Sequence, residues 1–419
     1  MSRRLETAEI IAVGSELLTP HRIDTNSLFL TARLNDVGIV VRGKSVVGDH
    51  RGDLAARVRD AIGRVDVVIT TGGLGPTDDD LTRDVVAEVL GRPMHVDADV
   101  LAGIEARFRR RGVRMPAINR RQGNVPEGAS VLANPNGTAP GLLLESDGRI
   151  VALLPGPPRE LQPMFDASVA PLLLGRTAGS RLHRRVLKVT GRSESQVEEV
   201  ANPIYTQLGN EQVRVDTTIL ATPGQIELHL ASAGADGAAI DRVLDDGIAR
   251  LATALGDAVF SIDGRSLEAV VGDALREHGW RIATAESCTG GMLAGRLTDV
   301  PGSSAYVVGG IVAYSNSVKM RDLGVAAHTL EAHGAVSEEV ARAMAAHVRE
   351  HFGTDIGVSV TGIAGPDGGT PSKPVGTVWV SVAAPSGVQA RLFQFPGDRE
   401  AIRRHATAGA LDMVRRAIR

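Results

Sequence analysis

A chain of 419 residues, 43% of them hydrophobic, is too long for one compact domain and apolar enough for two or three cored ones. Its single cysteine excludes a disulfide framework and any Cys-based zinc or iron–sulfur site. With 46 basic against 49 acidic residues, a net charge of −3, no single-sign block and 3% aromatics, it lacks the basic stripe and stacking platforms of a dedicated nucleic-acid binder.

The chain starts MSRRLETAEIIAVGSELL, without the long apolar stretch or small-residue cleavage site of a secretory signal. No later apolar run reaches the ~18 residues of a bilayer span, so a cytoplasmic location is expected. Residues 5–174 alternate strand and helix. ETAEIIAVGSELL reads as a strand entering a polar loop, and DTNSLFLTARLNDVG as a helix with Asn26 as N-cap. VDVVITTGG is a β-branched buried strand, followed by a glycine loop and the helix TRDVVAEVLG. This is the pattern of a parallel sheet with crossover helices, whose ligands gather beyond the carboxyl ends of the strands.

GRTAGSR (175–181) reads as a linker to a small α+β segment over 180–260, and a second break falls near SIDGRS. Residues 264–419 alternate again. The helix after Ser337 places Val340, Met344, Val348 and Phe352 on one buried face, and the terminal helix does the same with Ile402, Ala406, Ala410, Val414 and Ile418.

Two motif matches are set aside. GIVVRGKS (38–45) has the letters of a P-loop, but Ile39, Val40 and Val41 read as strand and VVGDH follows where a helix is needed. HVREH (347–351) has the letters of an inverted zinc-protease motif, but His347 and His351 lie off the buried stripe of their helix.

TTGGLGPTDDDLT (70–82) carries chemistry. Gly72, Gly73 and Gly75 let backbone amides approach an anion, and the following helix N-terminus favours negative charge. Asp78, Asp79 and Asp80 would repel a bare phosphate, so the arrangement implies a divalent cation bridging carboxylates and a pyrophosphate. The alternative is that the aspartates only complement the helix dipole. GSELL, NPNGTAPG (134–141) and LPGPPRE (154–160) are loops that the same sheet would gather.

Together these motifs resemble the CinA (competence/damage-inducible) family, over essentially the whole chain. The resemblance implies an α/β fold class: a three-layer N-terminal domain like molybdopterin-binding domains, a small KH-like α+β middle domain and an α/β amidase domain. It further implies metal-dependent hydrolysis of ADP-ribose, with Gly14, Ser15, Glu16, Asp24, Asn26, the Gly72–Asp80 loop, Gly137, Thr138 and Gly141 forming the pocket and Asp79 and Asp80 as metal ligands. The metal's identity, and which of the aspartates touches it, are left open. The KH-like segment reads as lacking the GXXG loop that clamps a nucleic-acid backbone, which makes it a spacer or dimerisation element.

TAESCTGG (284–291) is the second chemical motif. A strand runs into a helix opened by Ser287, whose hydroxyl would lie beside helix N-terminal amides able to hold an oxyanion. Serine needs a base, and YSNSVK (314–319) offers Lys319 with Tyr314 in support, provided burial keeps the lysine neutral. Ser287 as a plain N-cap and Cys288 as a rival nucleophile stay open on residues alone.

AESCTGG, YSNSVK, HGAVS, TGIAGPDGG, KPVGTVW and FPGDREAIR follow in order and are similar to the nicotinamide-nucleotide amidase module. That resemblance implies Ser287 as nucleophile, Lys319 as base and Tyr314 as assistant, with no cofactor. Thr289, Gly290, Thr361, Gly362 and Gly365 would bind the substrate, and Arg399 and Arg403 would clamp its phosphate. The expectation is a pyridine-nucleotide salvage hydrolase acting on nicotinamide mononucleotide and ADP-ribose, as a homodimer without membrane or direct nucleic-acid partners. Competing expectations are a non-catalytic molybdopterin or nucleotide binder, and a partner protein in DNA uptake or recombination.

Overall fold

Alternating apolar runs build the first sheet: β1 (Thr7–Val13), β2 (Val40–Val47), β3 (Val67–Thr71), β6 (Ser130–Leu132), β7 (Gly141–Ser146) and β8 (Arg149–Leu154), with a separate short pair, β4 (Met94–Val96) and β5 (Asn124–Pro126). The computed structural model describes residues 4–177 and 179–418; Ala178, inside the expected linker, lies outside them. The sheet order is β2-β1-β3-β8-β7-β6, parallel from β2 to β8 and antiparallel at β7 and β6. β1 shows why its run is almost continuously apolar. Ile10 faces a core with Leu30, Leu34 and Phe165, while Ile11 and Val13 face a second core with Leu54, Val58 and Val85. Both faces of a parallel strand are covered by helices, so neither can be polar. The P-loop letters fall on β2, as the residues required.

One helix cap differs from expectation. Asp24, not Asn26, caps helix Thr25–Asp36, its side chain accepting from the Ser27 amide. The helix after the triple aspartate begins at Thr82, as TRDVVAEVLG predicts, once Asp80 has folded the loop back on itself.

The middle segment forms a four-stranded sheet from β9 (Arg181–Thr190), β10 (Asp216–Thr222), β11 (Gln225–Gly234) and β12 (Val259–Ser261), in the order β10-β11-β9-β12. Helices Glu194–Tyr205 and Gly237–Leu255 accompany it, the first opened by a capping box between Ser193 and Gln196. A G-x-x-G string is present after all, Gly234–Gly237, but it joins strand β11 to a helix.

The last sheet comprises β13 (Ile282–Glu286), β14 (Val307–Val312), β15 (Ile356–Gly362), β16 (Thr377–Ala384) and β17 (Gly387–Gln394), in the order β14-β13-β15-β16-β17. β14, β13 and β15 are parallel, and β16 and β17 return antiparallel. Helix Glu338–Phe352 buries Val340, Met344 and Val348 on one face, while Leu267–His278 and Arg399–Ile418 cover the other. Residue contacts divide the chain into two compact units, one of residues up to His183 with Ser232–Asp241, the other of Arg184–Ala231 with Arg242–Arg419. Among the described residues no helix is long and apolar enough to cross a membrane.

Candidate functional site

β13 lies inside its sheet and delivers Ser287 from its carboxyl end. The chain then turns through Gly290 and Gly291, at φ 61° and 94°, before helix Met292–Thr298 starts. Glycine occupies this left-handed region without the Cβ penalty of other residues. β14 runs parallel beside β13, with Glu286 opposite Val312, so the chain leaving β14 passes next to Ser287. Ser315 then caps helix Asn316–Leu323, which turns Lys319 inward.

Lys319 is 1% exposed. Its Nζ lies 3.1 Å from Ser287 Oγ, 2.7 Å from the Ala313 carbonyl oxygen and 3.4 Å from that of Tyr314. Burial lowers its pKa, with Cys288 pulling weakly the other way. A neutral amine has two N–H bonds and one lone pair. In that form the two carbonyls can take the N–H bonds, which leaves the lone pair available to the serine hydroxyl. Cys288 is itself buried, and burial pushes its thiol up to about 12. It stays protonated at neutral pH and cannot compete as a thiolate.

The helix N-terminus is not open to an oxyanion as expected. Glu286, 1% exposed, accepts from the amides of Gly291 and Leu293 at 3.0 Å and of Ala294 at 2.8 Å. A buried carboxylate already satisfies the helix dipole there. The amides of Cys288 and Thr289, directly after the nucleophile, have no backbone acceptor among the described residues. The signal for Glu286 was in the sequence: an acid ending a buried strand, six residues before a helix start.

The two arginines part company. Arg403 donates through Nε to the Cys288 carbonyl at 3.1 Å and through Nη2 to that of Thr289 at 2.7 Å. It is a strut for the nucleophile turn, a correction to its expected place as a phosphate clamp. Arg399 donates to the Gly365 carbonyl at 2.7 Å and to the Tyr314 hydroxyl at 2.8 Å. A cavity of about 280 Å³ joins Ser287, Lys319, Tyr314, Gly362, Gly365 and Arg399. Thr361 also borders it, but its hydroxyl is used on the Ala335 carbonyl at 2.8 Å. Thr289 Oγ1 is buried without a hydrogen-bond partner among the described residues. In the other rejected motif, His347 bonds the Ala343 carbonyl and His351 packs on Phe352.

In the first sheet the expected loops lie beyond β1, β3 and β8. Gly72 (φ 94°) donates to the Leu154 carbonyl at 2.9 Å, and an added Cβ would sit 2.2 Å from the Val13 carbonyl oxygen. Asn26 Nδ2 donates to the Gly156 carbonyl at 2.7 Å, and its buried Oδ1 has no partner among the described residues. Gly14 donates to the Val47 carbonyl, and Glu16 lies in the short turn Ser15–Leu18. A Cβ on Gly73 would strike Thr82 Oγ1, and one on Gly75 would strike Asp80.

Asp80 is the main correction. Its Oδ1 accepts from the Gly75 amide at 2.7 Å, and its Oδ2 accepts from the Thr77 amide at 2.9 Å and from the Thr77 hydroxyl. It holds its own loop, and Asp78 pairs with Arg121. Among the described residues no three His, Cys, Asp or Glu side chains converge as a metal site. Buried Arg83, missed in the sequence, props the loop from below through the Leu74 and Gly75 carbonyls. Gly137 touches buried Glu160, which accepts from Asn134 at 2.8 Å. Gly137 and Thr138 line a cavity of about 620 Å³ with Val100, Ile104 and Arg107, and the Gly72–Gly75 turn is not part of it. Gly141 starts β7 against Met164, so it is a packing residue.

Residues 264–418 match the CinA C-terminal domain, and residues 9–175 match a probable molybdopterin binding domain. A CinA-like protein of Koribacter versatilis is 48% identical over 98% of this chain and 99% of its own. A CinA-like protein of Solibacter usitatus is 44% identical over 98% of each. The solved competence/damage inducible protein CihA from Agrobacterium tumefaciens is 40% identical, covering 35% of this chain and 90% of its own at a TM-score of 0.35.

Proposed function

The chain belongs to the CinA family, and from its Ser–Lys pocket we propose that the C-terminal domain hydrolyses the carboxamide of nicotinamide mononucleotide to nicotinate mononucleotide and ammonia. One observation carries this: a buried lysine whose Nζ lies 3.1 Å from Ser287 Oγ. Ser287 Oγ attacks the amide carbon while Lys319 Nζ takes its proton. The amides of Cys288 and Thr289 would hold the oxyanion. As the tetrahedral adduct collapses, Lys319 returns the proton to the departing nitrogen, which leaves as ammonia. Water, deprotonated by Lys319, then attacks the acyl-serine and releases the carboxylate, restoring Ser287. Tyr314 and Arg399 stand at the mouth, where the nucleotide phosphate would meet Arg399. Ammonia release from nicotinamide mononucleotide by wild type and Ser287→Ala tests this reading; equal rates would overturn it.

For the N-terminal domain the reading is hydrolysis of ADP-ribose to AMP and ribose 5-phosphate. Its support is the glycine turn of Gly72, Gly73 and Gly75 held over buried Arg83, in which the Gly73 amide, unlike those of Gly72 and Gly75, has no acceptor among the described residues. Asp79 would be the protein ligand of a divalent cation, which when bound would supply neutralisation of the pyrophosphate charge. The folded-in Asp80 gives weight to a second reading, in which this domain binds a nucleotide without cleaving it. Mass spectrometry of ADP-ribose incubations with and without EDTA separates the two. Metal-dependent AMP formation supports hydrolysis, while binding without product supports the second.

A further inference from the structure

Residues 105–121 hold seven arginines against one glutamate in a chain whose net charge is −3, a basic concentration that corrects the expected absence of a single-sign block. The helix Ala98–Arg110 and the short turn Ala117–Gly123 close around a cavity of about 590 Å³ lined by Arg109, Arg114, Arg120, Glu105, Met115 and Pro116. The three arginines are exposed, and none has a carboxylate partner among the described residues. One or two cations at a helix C-terminus complement its dipole. Arg114 and Arg120 lie beyond the helix, where that account does not reach. Three unpaired guanidinium groups around one concavity repel each other unless an anion sits among them.

The cavity is separate from the Gly72–Gly75 turn and from Gly137, yet its wall is tied to both loops. Arg121 donates to the Thr77 carbonyl at 3.1 Å and pairs with Asp78, and Arg107 donates to the Pro135 carbonyl at 2.6 Å. We propose that this arginine cavity is a second anion site, taking a compact phosphorylated ligand with at least two negative charges. Its volume is in the range of small-molecule pockets, roughly 300–1,000 Å³. Its lining has no aromatic ring on which a nucleic-acid base could stack. Glu105 would set the ligand's orientation by keeping its phosphates on the arginine side.

Met115 gives a local reporter among eight methionines. The full chain, labelled at methionine methyl carbons and assigned with Met115→Leu, is titrated with inorganic pyrophosphate and followed by NMR. The Met115 signal should shift saturably. In Arg109→Gln/Arg120→Gln the apparent affinity should fall about tenfold or more, with the other methionine signals in place to show the fold intact. No saturable Met115 shift, or an unchanged one in the double variant, would overturn the site. So would a single-stranded oligonucleotide moving Met115 at far lower concentration than pyrophosphate, which would assign the patch to nucleic acid. The readout is at the cavity itself, so it stands whether or not ADP-ribose is hydrolysed.

Discussion

Ser287 and Lys319 act as one unit, and their substitutions should show it. Ser287→Ala removes the attacking oxygen, and Lys319→Met keeps the length but loses the base. Each should cut amidase turnover by ~10³-fold or more, and the double variant should be little worse than either. Cys288→Ala should leave turnover nearly unchanged, since its thiol is held protonated by burial. Circular dichroism confirms folding before rates are compared. A dead Cys288→Ala beside an active Ser287→Ala would replace the serine mechanism with a thiolate one. The pH profile follows from Lys319. Its pKa is lowered by burial, so the active neutral amine persists below the ordinary lysine range. Rates of kcat/KM should fall as pH drops through that lowered value, giving an acid limb that lies below the ~10.4 of free lysine. A limb at the free-lysine value would mean that Lys319 is not the base.

The strand-to-helix junction after β13 is where an element does chemical work. Glu286 accepts from three amides and Arg403 bonds two carbonyls of the same turn, so the turn is held from both ends. Glu286→Gln keeps the shape but brings an NH₂ group against backbone donors, leaving at least one unsatisfied. A loss of about 1–3 kcal/mol is expected in thermal or denaturant unfolding, with kcat reduced more than KM rises. An unchanged unfolding midpoint would show that the carboxylate is not the strut. These contacts also mark what was hidden in the sequence. The alternation of strands and helices was legible because β1 is apolar on both faces, β13 is buried along its length and the terminal helix repeats its apolar residues every four. The Ser287–Lys319 pair was legible as two motifs, but its closeness depends on β13 and β14 being parallel neighbours. Arg403, Arg83 and Asp80 were misread or missed for a common reason. Their partners are backbone groups whose positions follow from φ and ψ at glycines, and no spacing of letters encodes them.

At the scale of the molecule, the terminal helix reaches upstream of the expected amidase boundary at 264. Buried Arg415 pairs with Asp412 and donates to the carbonyls of Asp257 at 2.7 Å and Val259 at 3.4 Å. A fragment beginning at Gly256 should therefore fold and deamidate nicotinamide mononucleotide on its own, because it carries every proposed amidase residue. One beginning at Arg265 should be less stable by about 2 kcal/mol or more, since a charged donor loses two buried acceptors. Chemical denaturation of the two fragments measures the difference. Equal midpoints would show that the 257–259 segment contributes nothing. An inactive longer fragment beside an active full chain would mean that the site borrows residues from elsewhere.

The hydrogen bonds of Lys319 go to two carbonyls and a hydroxyl, with no carboxylate among them, and this gives the enzyme a thermal character. Releasing a proton from an alkylammonium absorbs considerable heat, whereas a carboxylic acid ionises with almost none. The acid limb of the amidase should accordingly slide to lower pH as the assay is warmed, by the amount an amine's ionisation enthalpy dictates. Profiles recorded at two temperatures would reveal that slide, and a limb that stayed put would point to a carboxylate as the titrating group. At a fixed neutral pH, warming then raises turnover twice over, by speeding the chemical step and by unprotonating more of the base.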